Sequence, residues 1–186
     1  MNSYQDLPQN LRVPQDDGAC DHLVGAMLPN IMLPATNNKS VNLAKLSGTT
    51  VVYCYPMTGQ PGVPLPEGWD EIPGARGCTP QSCSFRDHFS ELLALGASVF
   101  GMSTQDTNYQ KEMAERLHLP FPVISDANFE FCDALNIPTF NVDGKRLMKR
   151  VTIIFRDEVI KAVHYPVFPS NSDPEWVISY LSSARK

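Results

Sequence analysis

The sequence lacks any apolar run near the roughly 18 residues that a membrane-spanning helix needs, so no membrane span is expected. It lacks a block of like-signed basic residues. With 15 Lys and Arg against 20 Asp and Glu, the net charge is −5, which argues against a nucleic-acid partner. It lacks a C-x-x-C pair, so it does not encode a thioredoxin-type dithiol. Its cysteine count, five, is odd. That argues against a structural disulfide framework and for a reducing, cytoplasmic setting. Internal repeats and low-complexity tracts are absent. The opening stretch, Met1 to Asp21, has neither an apolar h-region nor an Arg-rich amphipathic pattern, so neither a signal nor a transit peptide is expected. It reads as a loosely ordered polar arm, giving two expected parts: an arm over 1–22 and one domain over 23–186.

What is present is a strand and helix alternation. Thr49 to Tyr55 is a near-continuous β-branched and aromatic run, the pattern of a central strand buried on both faces. Shorter strands are predicted over Asn30–Pro34, Ala97–Met102, Phe121–Ile124, Lys149–Phe155 and Val159–His164. Val41 to Leu46 reads as a turn or helical piece. Helices are predicted over Thr79–Leu95, Asp106–Leu117, Asn128–Leu135 and Asp173–Ser183. In the first, Phe85, Phe89, Leu92 and Leu93 share one face, Thr79 is the expected N-cap before Pro80, and Gly96 ends it. Asp173 is the expected cap of the last, before Pro174. Ile137-Pro138-Thr139 precedes an Asp143-Gly144 turn and reads as loop. The expected architecture is α/β: a central mixed sheet with helices on both faces.

The chemistry concentrates at Gly77-Cys78-Thr79-Pro80-Gln81-Ser82-Cys83, followed by Phe85-Arg86-Asp87. A cysteine at a helix N-terminus faces unpaired backbone N–H groups and the positive end of the helix dipole, both of which favour thiolate over thiol. Cys78 and Phe85 are nearly two turns apart, so Cys78 starts on the buried face. Cys83 is a second thiol nearby. On a regular helix the two Cα atoms stand about 8–9 Å apart and point away from each other, beyond the reach of a disulfide. If the pair bridges, the first turn must unwind. Cys20, Cys54 and Cys132 read as small buried apolar side chains. The Pro- and Gly-rich stretch from Pro56 to Arg76 reads as a long functional loop that delivers the chain to Cys78. Trp69 within it either covers the site or anchors the loop. His164 reads as a surface or core histidine.

The run Gly77-Cys78-Thr79-x-Gln81-x-Cys83-x-Phe85-Arg86-Asp87 resembles the active-site segment of peroxiredoxins, nearest to the peroxiredoxin Q or bacterioferritin-comigratory type. Val51–Pro56, Phe100–Thr104, Leu119–Asp126 and Arg150–Ile154 resemble that family's flanking strands, so the likeness extends over roughly Gly25 to Leu181. The resemblance implies a thioredoxin-like fold and reduction of hydroperoxides without a metal, haem or flavin cofactor. It assigns Cys78 as the peroxidatic cysteine, Cys83 as the resolving one, and Arg150 as the cation that favours the thiolate and holds the peroxide. It also implies a Cys78–Cys83 disulfide, recycled by thioredoxin or a glutaredoxin-like reductant, in a monomer or homodimer. One departure stands out. The family carries a threonine three residues before the cysteine, where this chain has Ala75 behind a Pro-rich insertion. Thr58 is the candidate to supply the missing hydroxyl, with Thr79 or backbone donors as alternatives. A redox sensor or partner-binding protein of the same fold, with little turnover, is the rival reading.

Overall fold

The run Thr49–Cys54 forms the central strand because its side chains alternate between two apolar cores. The structure, a computed structural model, describes residues 6–184. In chain order the first strands are β1 (Leu33–Pro34), β2 (Ser40–Val41) and β3 (Thr49–Cys54). Next come α1 (Cys78–Asp87), α2 (Phe89–Ala94), β4 (Ala97–Ser103), α3 (Thr107–Arg116), β5 (Val123–Ser125) and α4 (Glu130–Ala134). β6 (Thr139–Val142), β7 (Lys145–Met148), β8 (Val151–Arg156), β9 (Val159–His164) and α5 (Asp173–Ser183) complete the chain.

The main sheet has the order β5-β4-β3-β8-β9. β3 runs parallel to β4 and antiparallel to β8, which makes the sheet mixed. Val52 and Cys54 face one core, with Met102, Ile153 and Phe131. Val51, Tyr53 and Tyr55 face the other, with Phe85, Leu92, Met113 and Val177. Helices therefore cover both faces, as the strand pattern predicts, in a thioredoxin-like arrangement. Tyr53 fixes α1 on the sheet. Its ring stacks on Phe85 at 4.3 Å between centroids, and its hydroxyl donates to Ser82 Oγ at 3.1 Å. Gly101, opposite Tyr53 on β4, leaves room for that ring: a Cβ there would lie 2.8 Å from the Tyr53 hydroxyl.

Several sequence expectations need correction. The helix predicted over Thr79–Leu95 is two helices, α1 and α2, broken at His88, whose φ and ψ are −93° and 4°. Thr79 is not the cap. Gly77 is, in left-handed backbone, and Thr79 is buried inside the first turn. Asp173 is likewise inside α5, with Ser172 as N-cap. The predicted strand over Asn30–Pro34 pairs only at Leu33–Pro34. The stretch read as loop after Ile137 is a hairpin, in which Thr139 to Val142 pair with Lys145 to Met148. Asp143 and Gly144 both have positive φ, as a two-residue hairpin turn demands. That hairpin is where the Pro-rich loop comes to rest: Trp69, Ala75 and Leu147 form a third apolar cluster with Leu65, Ile72 and Phe140. The loop itself carries one short 3-10 turn, Trp69–Glu71.

Candidate active site

Gly77 sets the site. Its φ of 109° turns the chain sharply into α1, a conformation that L side chains rarely adopt. A side chain here would also overlap Ser170 Oγ and come within 2.7 Å of Leu7 Cδ2. Ser170 Oγ donates to the Gly77 carbonyl at 2.8 Å, tying the turn to the segment before α5. Cys78 follows as the first helical residue, on the buried face as its spacing from Phe85 predicts, and only 3% exposed.

Arg150 reaches Cys78 from the start of β8. Its Nη2 donates to Cys78 Sγ at 3.1 Å and to the Ala75 carbonyl at 3.0 Å. The same nitrogen lies 3.3 Å from the Arg76 carbonyl, and Nε donates to the Gly74 carbonyl at 3.3 Å. Nη1 donates to Gln81 Oε1. Arg150 is 4% exposed, and every bonded partner of its guanidinium other than the sulfur is a neutral oxygen. A buried cation surrounded by neutral acceptors leaves its charge uncompensated until an anion forms beside it. The last residues of the Pro-rich loop thus supply three carbonyls that aim the guanidinium. Cys78 Sγ also lies 3.6 Å from the Ala75 carbonyl, which the protonated thiol can use as acceptor.

Thr58 stands on the wall of the same narrow cleft as Cys78, with Leu65, Trp69 and Thr79. It is buried, and its hydroxyl donates to Gln105 Oε1 at 3.3 Å. Its backbone is clamped as well. The N–H donates to Gln105 Oε1 at 3.0 Å, and the carbonyl accepts from Tyr109 Oη at 3.0 Å and Gln105 Nε2 at 3.3 Å. The structure therefore brings Thr58 to the cleft but bonds its hydroxyl to Gln105. Trp69 does both things considered for it: it packs against Phe140 and it walls the cleft. Met57, Gly59 and Leu65 line both this cleft and a larger adjoining cavity of about 670 Å³.

The other cysteines are of a different kind. Burial pushes the thiols of Cys20 and Cys132 up to about 12, and that of Cys54 well above its ordinary range. Cys83 is half-buried on α1, and burial raises its thiol too, opposed by nearby Arg86. All five are free thiols, with Cys78 and Cys83 on one intact helix. Sequence reasoning missed Gln105 and Tyr109, which hold Thr58, and the Asp173 carboxylate behind Gln81. It placed Gln81 in the motif but gave it no role. Among the described residues no group of three or more metal-ligating side chains occurs, and no helix is long and apolar enough to cross a membrane.

The Redoxin family matches residues 23–178, the stretch that carries the thioredoxin-like sheet and the cysteine at the start of α1. The chain belongs to this family, and within it to the peroxiredoxins. It is 35% identical over 160 residues to the chloroplastic peroxiredoxin Q of Populus jackii, covering 86% of this chain and 68% of that one. To the chloroplastic peroxiredoxin Q of Triticum aestivum it is 37% identical over 103 residues. That match spans 55% of this chain and only 41% of the wheat protein. In fold it is similar to the peroxidoxin BcpB of Mycobacterium tuberculosis, with a TM-score of 0.70 at 24% identity, covering 88% of this chain and 98% of that one.

Proposed function

We propose that this peroxiredoxin reduces hydrogen peroxide and organic hydroperoxides at Cys78. The observation that carries the reading is the Arg150 guanidinium on Cys78 Sγ at 3.1 Å, in the narrow cleft that Cys78 shares with Thr58 and Trp69. The Cys78 thiolate attacks the terminal peroxide oxygen. The O–O bond breaks, the leaving alkoxide or hydroxide takes a proton, and Cys78 becomes a sulfenic acid. Arg150 stabilises both the thiolate and the negative charge that develops on the peroxide oxygens. The Cys83 thiol then displaces water from the sulfenic acid, forming the Cys78–Cys83 disulfide. An external dithiol such as thioredoxin or a glutaredoxin-like protein returns both thiols by exchange. Because the two cysteines share α1, the first turn must unwind for the second step. One chain carries both thiols, so a monomer or a homodimer can complete the cycle.

The cavity beside the cleft, with apolar Met57 and Leu65 on their shared wall, supports acceptance of an organic hydroperoxide. Five free thiols fit a reducing compartment, and we propose the cytoplasm; the chloroplast address belongs to the names of the plant relatives.

The test is stopped-flow peroxide consumption by the reduced protein, alongside Cys78→Ser. Fast loss of peroxide in the wild type and none in the variant is expected. A wild-type rate no better than that of a free thiol sinks the reading and favours the sensor. Mass spectrometry after one equivalent of peroxide decides the second step: a Cys78–Cys83 peptide link is expected, and a lasting Cys78 sulfenic acid with free Cys83 overturns it.

A further inference from the structure

The Asp173 carboxylate is fully buried and belongs to no part of the cysteine motif. It accepts three hydrogen bonds. Gln81 Nε2 donates to Oδ2 at 2.7 Å, Thr152 Oγ1 donates to Oδ2 at 2.6 Å, and His164 Nδ1 donates to Oδ1 at 2.7 Å. His164 in turn stacks on Trp176 at 4.6 Å between ring centroids. β8, β9, α1 and α5 thus meet on one acid.

We infer that Asp173 is a positioning residue for Cys78, acting through Gln81 and Arg150. The inference rests on the peroxidase reading above. A carboxylate offers only acceptors and a guanidinium only donors. Gln81 stands between them, so its amide has one satisfactory orientation: NH₂ toward Asp173, carbonyl oxygen toward Arg150. Turned the other way it would set donor against donor and acceptor against acceptor. With Gln81 locked, Nη1 of Arg150 is committed, and the planar fork then directs Nη2 at the sulfur.

The neutral amide has a second consequence. A carboxylate placed directly on Arg150 would neutralise the cation and compete with the Cys78 thiolate for it. Gln81 passes on the orientation fixed by Asp173 and keeps the negative charge one residue away. Titratable groups near this acid include His164, bonded to it, and the buried Tyr53 and Cys54, both raised by burial. Cys78 itself is faced by Arg150, Arg76 and the buried Tyr55, also raised by burial.

The test uses the full-length reduced chain with Asp173→Asn and Gln81→Glu. Two rates at Cys78 are followed by peptide mass spectrometry: alkylation by iodoacetamide from pH 5 to 9, and oxidation by hydrogen peroxide. Asparagine cannot accept from Gln81, Thr152 and His164 together without reversing an amide or a histidine tautomer. We expect Asp173→Asn to slow both reactions at pH 7 about tenfold, equivalent to about 1.4 kcal/mol, and to move the alkylation profile to higher pH. Gln81→Glu is expected to move it the same way, by placing a competing carboxylate on Arg150. A folded Asp173→Asn with wild-type rates and profile overturns the inference. Should that variant not fold, a wild-type profile in Gln81→Glu overturns it. Alkylation needs no peroxide, so a wild type inert to peroxide would sink the peroxidase reading while the alkylation profiles still decide the role of Asp173.

Discussion

The first turn of α1 is held chiefly by hydrogen bonds to buried side chains, whereas its second half adds a fully buried aromatic stack to its two hydrogen bonds, from Ser84 to the Asn171 carbonyl and from Arg86 to the Leu117 carbonyl. At the start, Cys78, Gln81 and the Gly77 carbonyl bond to Arg150, Asp173 and Ser170. Further along, Phe85 is wholly buried against Tyr53. The two kinds of attachment fail differently. A neutral hydrogen bond lost to unwinding is largely replaced by one to water, so its net contribution is about 1 kcal/mol, and one to a charged partner such as Arg150 or Asp173 contributes about 1.5–3 kcal/mol. A buried aromatic ring has no such substitute, and removing it costs about 3–5 kcal/mol. A helix built this way can open at the cysteine end while its far end stays docked. That is the motion a Cys78–Cys83 disulfide requires.

Exchanging the cation tests the polar end most severely. Arg150→Lys keeps the charge but loses the fork that serves Cys78, Gln81 and three loop carbonyls at once. A fall of about a hundredfold in the peroxide rate constant is expected by stopped flow, since misaimed catalytic groups cost about that much. A rate within twofold of wild type would mean that charge alone suffices. At the apolar end, Phe85→Ala should lower unfolding stability in urea by about 3–5 kcal/mol. A loss below about 1 kcal/mol would erase the contrast between the two halves.

Ser170→Ala sharpens the comparison from the other side. It removes one bond to the Gly77 carbonyl, which keeps its helical bond from the Gln81 N–H. Stability should fall by only about 1 kcal/mol. Disulfide formation after oxidation, followed by quenched mass spectrometry, should become a few-fold faster as the first turn opens more often. Unchanged or slower formation would mean that unwinding does not begin there.

The smallest effect concerns the arm outside the family match. Residues 6–22 are described, and Asp17 bonds Lys149 Nζ at 3.0 Å and Tyr165 Oη at 2.8 Å. Chiefly the Lys149 bond, then the Tyr165 bond, lowers the Asp17 carboxyl from 3.8 to about 2. A lowered folded-state value means that this tie adds stability above pH 3.8 and loses it as pH falls through about 2. Asp17→Asn should therefore melt slightly below wild type at pH 6, with the gap closing towards about pH 2. A gap that is constant with pH would show that the bond geometry matters and the charge does not. Pro14 lies against Gly74, beside a carbonyl that aims Arg150, so peroxide kinetics of the same variant would show whether the arm supports the polar end.

Local rules were enough for much of this protein. The β-branched run of β3 specified a strand buried on both faces, because strand side chains alternate and every position was apolar, aromatic or threonine. The spacing from Cys78 to Phe85 specified a buried sulfur at a helix start, because helical geometry is fixed by the backbone. The family likeness pointed to Arg150, and the structure places it on Cys78. Other features lay beyond that reach. The Asp143-Gly144 turn signal was visible, yet the strands it joins are short and half-exposed, so no alternating pattern announced them. Asp173 looked like a cap because Asp before Pro is a capping signature. It turns inward because Gln81, Thr152 and His164 wait there as donors, brought from three other elements. Backbone conformation responds to near neighbours, and a sequence records those directly. A buried acid is placed by partners up to 92 residues away, and only folding brings them together.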